Sequence, residues 1–255
     1  MTAKIFSLLA LGSVVTHGQT VLSNNFEMGT EGWGTDDHSV SQSAGVLVVA
    51  DNGGVGATRA FSDFDSPVSL LVGQQLQFSA EVFFTSSGAG VARALTIGLS
   101  NGEGATAYIN RISAGADPYE EGHYTHASFN GGANNLLAGG TALGTDSGVS
   151  SIRTNTSAGD GYSHTITFTL ARTGLTELEL TTTAEIGNGS VRSFTHADAA
   201  ASDFTFSRVD VGTFGNSDYD FNLDDVTVSV MPIPEPSTAL LAAVCFPAIL
   251  LRRRK

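Results

Sequence analysis

Apolar and polar residues alternate with a period of two along most of the chain between Gln19 and Val230. In LQFSAEVFF (76–84), Leu76, Phe78, Ala80, Val82 and Phe84 share one face, while Gln77, Ser79 and Glu81 take the other. SHTITFTLARTG (163–174) repeats the pattern, with Ile166, Phe168 and Leu170 against Thr165, Thr167 and Thr169. VARALTIGLS (91–100), LTELELTTTAEI (175–186), DFTFSRVDVG (203–212) and DDVTVSV (224–230) read likewise. Successive strand side chains point to opposite faces, so each run predicts a strand with one buried and one wetted face. Arg172-Thr173-Gly174 and Gly187-Asn188-Gly189 punctuate the runs as turns. Helical periodicity is confined to the two ends. Around a dozen short strands with polar outer faces predict an all-β fold, a two-sheet antiparallel β-sandwich. The segment from Asn130 to Asp160, rich in Gly, Asn, Ser and Ala, predicts a long loop or an irregular edge.

The ends depart from this pattern. MTAKIFSLLALGSVVTHGQT places one cation, Lys4, before an apolar run from Ile5 to Val15, and small residues precede Gln19. That is the architecture of a secretory signal helix, with Thr16 and Gly18 at the positions a signal peptidase reads. At the other end Ala239–Leu251 is apolar and Arg252, Arg253, Arg254 and Lys255 follow. At 1.5 Å per residue the apolar run makes a helix of roughly 20 Å, short of a hydrocarbon core of about 30 Å. Flanking residues therefore have to sink and the Arg side chains to snorkel. The cationic end predicts a cytoplasmic C-terminus and a body outside. The domain reading is a signal peptide at 1–18, a sandwich domain at 19–230, and a tail with a transmembrane helix at 231–255.

PEPSTALLAAVCFPAILLRRRK resembles the PEP-CTERM sorting signal of Gram-negative exporters of extracellular polysaccharide. Pro234-Glu235-Pro236, Ser237-Thr238, an apolar helix and a terminal Arg cluster stand in that family's order. The resemblance implies recognition by an exosortase, a membrane protease-transferase, with transient anchoring in the inner membrane. Release to the cell surface or extracellular matrix follows from it. Two prolines keep the motif extended and open to a protease. A plain C-terminal anchor that is never cut is the other reading. The body is similar in outline to the concanavalin/laminin-G type of sandwich, a concanavalin-like jelly roll. NNFEMGTEGW (24–33) and FNLDDVTVSV (221–230) are placed to pair the first and last strands.

Charge narrows the partners. The body holds seven Arg, no Lys and 24 acidic residues, a net charge of −17. So negative a surface repels phosphate backbones, which excludes nucleic acid, and it attracts divalent cations. The one cysteine, Cys245, sits in the apolar tail, so the body forms no disulfide.

Chemistry-bearing clusters are few. In NSDYDFNLDDVTVSV (216–230), Asp218, Asp220 and Asp224 fall on one strand face, and after Asp225 the apolar phase moves to Val226, Val228 and Val230. Such a switch requires a bulge or a change of buried face near Asp224-Asp225. Stacked carboxylates repel, and a Ca2+ bound by Asp218, Asp220, Asp224 and Asp225 would relieve this, with Glu27 completing an oxygen cage. A solvated acidic strand is the plainer meaning of such a run. Asp63 and Asp65 read as a turn beside Pro67. PYEEGHYTHASF (118–129) reads as a polar loop whose Tyr119 and Tyr124 can stack on sugar rings. Its His123 and His126 fit no zinc-binding spacing. Trp33 is expected in the core, and Tyr108 and Tyr162 are open between core and sugar platform. Glu177 and Glu179 share a face without making a glycosidase pair, and no nucleophile motif occurs. The expectation is a non-enzymatic surface or matrix protein with weak glycan contact, extracellular polysaccharide being its partner. A polysaccharide lyase or hydrolase and a calcium-stabilised adhesin are the alternatives.

Overall fold

The computed structural model describes residues 18–35, 39–50, 59–84, 93–102, 107–114, 122–133, 141–146, 152–154, 163–186, 191–213 and 221–233. Among these residues fifteen strands follow one another: β1 (Gln19–Asn24), β2 (Ser39–Ser43), β3 (Val46–Ala50), β4 (Arg59–Ser69), β5 (Gln74–Phe84), β6 (Arg93–Ser100), β7 (Ala107–Ala114) and β8 (Gly122–Ala133). Then come β9 (Thr141–Asp146), β10 (Ile152–Thr154), β11 (His164–Arg172), β12 (Leu178–Ile186), β13 (Val191–Asp198), β14 (Thr205–Thr213) and β15 (Phe221–Pro232). They build two antiparallel sheets. One has eight strands, ordered β13-β12-β11-β5-β15-β3-β2, with β1 also on β15. The other has seven, ordered β10-β8-β7-β6-β14-β4, with β9 also on β8.

The alternation explains the layering. Leu76, Phe78, Ile166, Phe168, Phe221 and Val228 from the eight-stranded sheet are fully buried, as are Ile97, Leu99, Val209 and Val211 from the other. Together they form one core between the sheets. Trp33 joins that core as expected, donating its indole N–H to Asn24 Oδ1 at 3.1 Å and meeting Phe26 edge-on. Tyr108 is buried too, which settles it as core rather than platform.

The first and last strands pair, from Gln19↔Val230 to Asn24↔Val226. The phase switch in β15 has the predicted cause. Asp224 opposes Glu81 and Thr227 opposes Ser79, so Asp225 and Val226 together face the one residue Ala80. Asp225 takes a left-handed φ of 45°, and the extra residue keeps Leu223 and Val226 both inside.

Between Asn130 and Asp160 the irregular edge is the reading that holds where residues are described: β8 runs on to Ala133, and β9 and β10 both pair with it at the edge of the sheet. Two expectations are corrected. PYEEGHYTHASF is not a loop over its described part, because Gly122–Phe129 belongs to β8, between β7 and the β9 and β10 partners. Asp63 and Asp65 lie inside β4, not at a turn. In each case ladder pairing outweighs weak local propensity. The stretches expected from the sequence to form a signal helix and a transmembrane helix lie outside the described residues. None of the described residues form a helix long and apolar enough to cross a membrane.

Candidate functional site

The site grows out of an irregularity in β4. This strand ends the seven-stranded sheet, and its register to β14 jumps from Phe206↔Val68 to Arg208↔Asp63. Four residues, Phe64-Asp65-Ser66-Pro67, thus stand opposite Ser207 alone. Pro67 has no N–H for a ladder, and an edge strand with a bulge is where a sheet tolerates it. Phe64 stays in the core, so the extra length pushes Asp65, Ser66 and Pro67 outward.

Across the sandwich edge β4 lies against β1. Between them opens a cleft of about 460 Å³, within the size range of small-ligand sites. Its polar lining is Asp65, Ser66, Gln19 and Gln74; Val21, Val68 and Val230 supply apolar surface. Gln74 is held in place, its Oε1 accepting from Leu71 N at 2.9 Å. Ser69 Oγ and Thr205 Oγ1 share a hydrogen bond of 3.0 Å at the same edge. A carboxylate, amides and hydroxyls over apolar patches suit a ligand with hydroxyls on its rim and C–H on its faces.

Next to the cleft, on the outer face of the same sheet, sits an ionic cluster. Arg208 donates from Nε to Asp63 Oδ1 at 2.6 Å and from Nη2 to Asp63 Oδ2 at 3.2 Å. Its guanidinium lies 4.3 Å from the centroid of the Phe61 ring. The Arg208 side chain is 11% exposed and Asp63 62%, so the pair offers solvent a carboxylate whose orientation is fixed by a fork. Asp210, two residues on, is buried and accepts from Ser100 Oγ at 3.4 Å. On the inner side Tyr108 of β7 donates to Asp198 Oδ2 of β13 at 3.0 Å, bridging the sheets. Burial, then the Asp198 hydrogen bond and the charges of Asp198 and Asp203, raise its phenol well above the usual value.

Asp63 and Asp65 meet this site, whereas the described metal candidates Glu27, Asp224 and Asp225 lie elsewhere. Asp224 lies beside Glu81 on the outer face of the eight-stranded sheet, and Asp225 is exposed at the bulge. Glu27 is exposed beyond β1, its carboxylate against Gly45 of the β2–β3 turn. Among the described residues no three His, Cys, Asp or Glu side chains group as a metal ion requires. Asp218, Asp220 and Tyr119 lie outside the described residues, as do Pro234, Glu235, Pro236, Arg252, Arg253, Arg254 and Lys255. Tyr124 is placed in β8 opposite Ala114 and Ile152. Sequence reasoning missed Gln19, Gln74 and Arg208. The one local signal was Asp65-Ser66-Pro67 inside a run of period two, which marks a bulged edge strand.

No protein-family model matches the chain, and no curated protein matches it. Solved structures do. The chain superposes on a lectin from Bauhinia forficata in complex with GalNAc at a TM-score of 0.51 and 10% identity, covering 85% of this chain and 100% of that one. It superposes on lectin I of Ulex europaeus, in complex with the methyl glycoside of α-L-fucose, at 0.53 and 11%, covering 84% and 98%. Lectin I-B4 of Griffonia simplicifolia in its metal-free form gives 0.53 and 13%, covering 84% and 99%. The chain has a lectin-like, concanavalin-type β-sandwich fold.

Proposed function

We propose that the chain is an exported, non-enzymatic glycan-binding sandwich. Its tail tethers it in the inner membrane until an exosortase-type cut near Pro234-Glu235-Pro236 releases it to the cell surface or polysaccharide matrix. The observation that carries the glycan reading is the cleft between β1 and β4, where Asp65, Gln19 and Gln74 stand over Val21, Val68 and Val230. Sugar hydroxyls donate to the carboxylate and accept from the amides, and ring C–H groups cover the valines. The lectin-like fold of the solved structures adds weight, since two of them hold sugars. The acidic body favours neutral over anionic glycans.

The test is calorimetric titration of the secreted protein with neutral and acidic oligosaccharides, set beside the Asp65→Ala variant. Loss of a hydrogen bond to a charged acceptor weakens binding roughly 10- to 100-fold, while the thermal midpoint of this exposed position stays put. Wild-type protein that binds no glycan, or a variant that binds as well as wild type, sinks the reading. Weighing the secreted protein intact tests the release: retention of Cys245 and the Arg cluster rules it out.

A further inference from the structure

Two loops meet where the C-terminal segment leaves the sandwich. The turn from Leu71 to Gln74 joins β4 to β5, with Gln74 N donating to Leu71 O at 3.0 Å. Gly73 supplies the left-handed φ of 88° that this turn demands. The second loop, residues 173–177, joins β11 to β12. Arg172 clasps the two. Its Nη1 donates to Leu70 O at 2.7 Å, its Nη2 to Leu175 O at 3.1 Å and its Nε to Gly174 O at 3.3 Å. The guanidinium also rests 3.6 Å from the centroid of the Phe204 ring. The departing chain is fastened to the same point: Ile233 N donates to Gly73 O, and Gly73 N to Arg172 O, both at 2.8 Å.

This end of the molecule is oddly apolar. Five large hydrophobic side chains are exposed among the described residues, and three of them lie on these loops: Leu71 at 64%, Val72 at 50% and Leu175 at 79%. The turn needs its glycine but has no conformational need for Leu or Val. Three apolar tips on adjoining loops, held in place by a cation clasp, mark a contact surface.

The chain itself says what the surface meets. Only five residues, Pro234 to Thr238, separate Ile233 from the apolar run that begins at Ala239. Fully extended, that spacer reaches about 20 Å, so an inserted tail holds this end of the sandwich close to the headgroups. We propose that Leu71, Val72 and Leu175 form a bilayer-contact surface that seats the tethered sandwich upright on its tail end. The proposal rests on the reading of the tail as a membrane helix. Three side chains are too little to bind a free protein to lipid, but a tether supplies a high effective concentration. With no Lys in an acidic body, the contact is apolar rather than electrostatic. Leu71 also lines the β1–β4 cleft. The tethered chain thus turns that cleft toward the membrane, and cleavage of the tail presents it to the medium.

The full chain, reconstituted in phosphatidylcholine vesicles whose acyl chains carry bromine, tests this. Its one tryptophan, Trp33, is buried and gives a fixed background. Tryptophan is added by Leu175→Trp or Val72→Trp and, as a control, by Val191→Trp at the exposed start of β13 on the opposite end. Cys245, the single thiol, reports the tail through its reactivity toward a water-soluble maleimide. The expected result is a protected Cys245, loss of most of the added emission in the two loop variants, and none in Val191→Trp. A protected Cys245 with unquenched loop variants overturns the contact and leaves the tether standing. A reactive Cys245 overturns both. Equal quenching of Val191→Trp overturns the upright seating.

Discussion

Where their side chains are described, the outer faces of the two sheets differ in character. On the eight-stranded sheet, Thr195, Thr181, Thr169, Gln77, Ser229 and Thr20 follow one another across six strands as one rung. Ser193, Thr183, Thr167, Ser79, Thr227 and Ser23 form the next. Every member is at least partly exposed, and neighbours bond to each other: Thr181 with Thr195 at 3.0 Å, Thr183 with Ser193 at 3.1 Å, Ser229 with Thr20 at 3.4 Å. On the seven-stranded sheet the outward positions described on β6 and β14 are Thr96, Ser100, Arg208 and Asp210, all buried, with Asp63 of β4 exposed beside Arg208. The first face is a neutral hydroxyl surface that water can serve as well as protein can. The second has the chemistry of an interior, where a charge without its partner is expensive. Exposure, not polarity, separates a face that keeps the protein soluble from one that holds it together.

Removing Arg208 should produce the largest effect. Arg208→Ala deletes the fork on Asp63 and the cation over Phe61 at once. Breaking a buried pair costs about 3–5 kcal/mol. Asp63 is well exposed and rehydrates, so about 2–3 kcal/mol is expected here. Urea unfolding measures it, and a loss below about 1 kcal/mol would mean that this face behaves like an ordinary wetted one.

A second contrast lies between the outer pairs and the Tyr108 phenol, which crosses the core. The Tyr108 hydroxyl stays protonated in the fold to higher pH than in the unfolded chain. Its contribution is therefore complete below the unfolded value of about 10 and is lost as pH rises from there toward the folded value. Urea midpoints measured from pH 8 to 12 should fall more steeply for wild type than for Tyr108→Phe, which has no proton to lose. Parallel profiles would remove the linkage, whatever the variant does to absolute stability.

Much of this architecture was legible because burial leaves a period. Phe168 and Leu170 alternate with Thr167 and Thr169, and the shift from Leu223 to Val226 announced a bulge before any strand partner was known. The cleft was not legible, because it is made by distance. Gln19 and Asp65 meet only once β1 has paired with β15 and β4 has closed the opposite edge. Pro67 also misled, since a proline after two aspartates signals a turn unless the strand is an edge. Arg208 finds Asp63 across 145 residues, a separation no local pattern encodes. The stretch from Gly122 to Thr154 hid its strands behind glycine, asparagine and serine, whose weak propensity is overruled by pairing with β7 and β8.

The smallest effect belongs to the hydroxyl face, and its smallness is what makes it informative. Thr183 lies between Thr167 and Ser193 in its rung and shares a hydrogen bond with the serine. Thr183→Ala leaves a serine that water can reach, so no buried group goes unpaired, and what remains is a modest loss of strand propensity. Stability should change by no more than about 0.5 kcal/mol, several times less than for Arg208→Ala in the same urea assay. If Thr183→Ala instead costs more than about 1 kcal/mol, water cannot be replacing the lost hydroxyl. The eight-stranded sheet would then be covered in solution, and the contrast between the two faces would be one of partner rather than of burial.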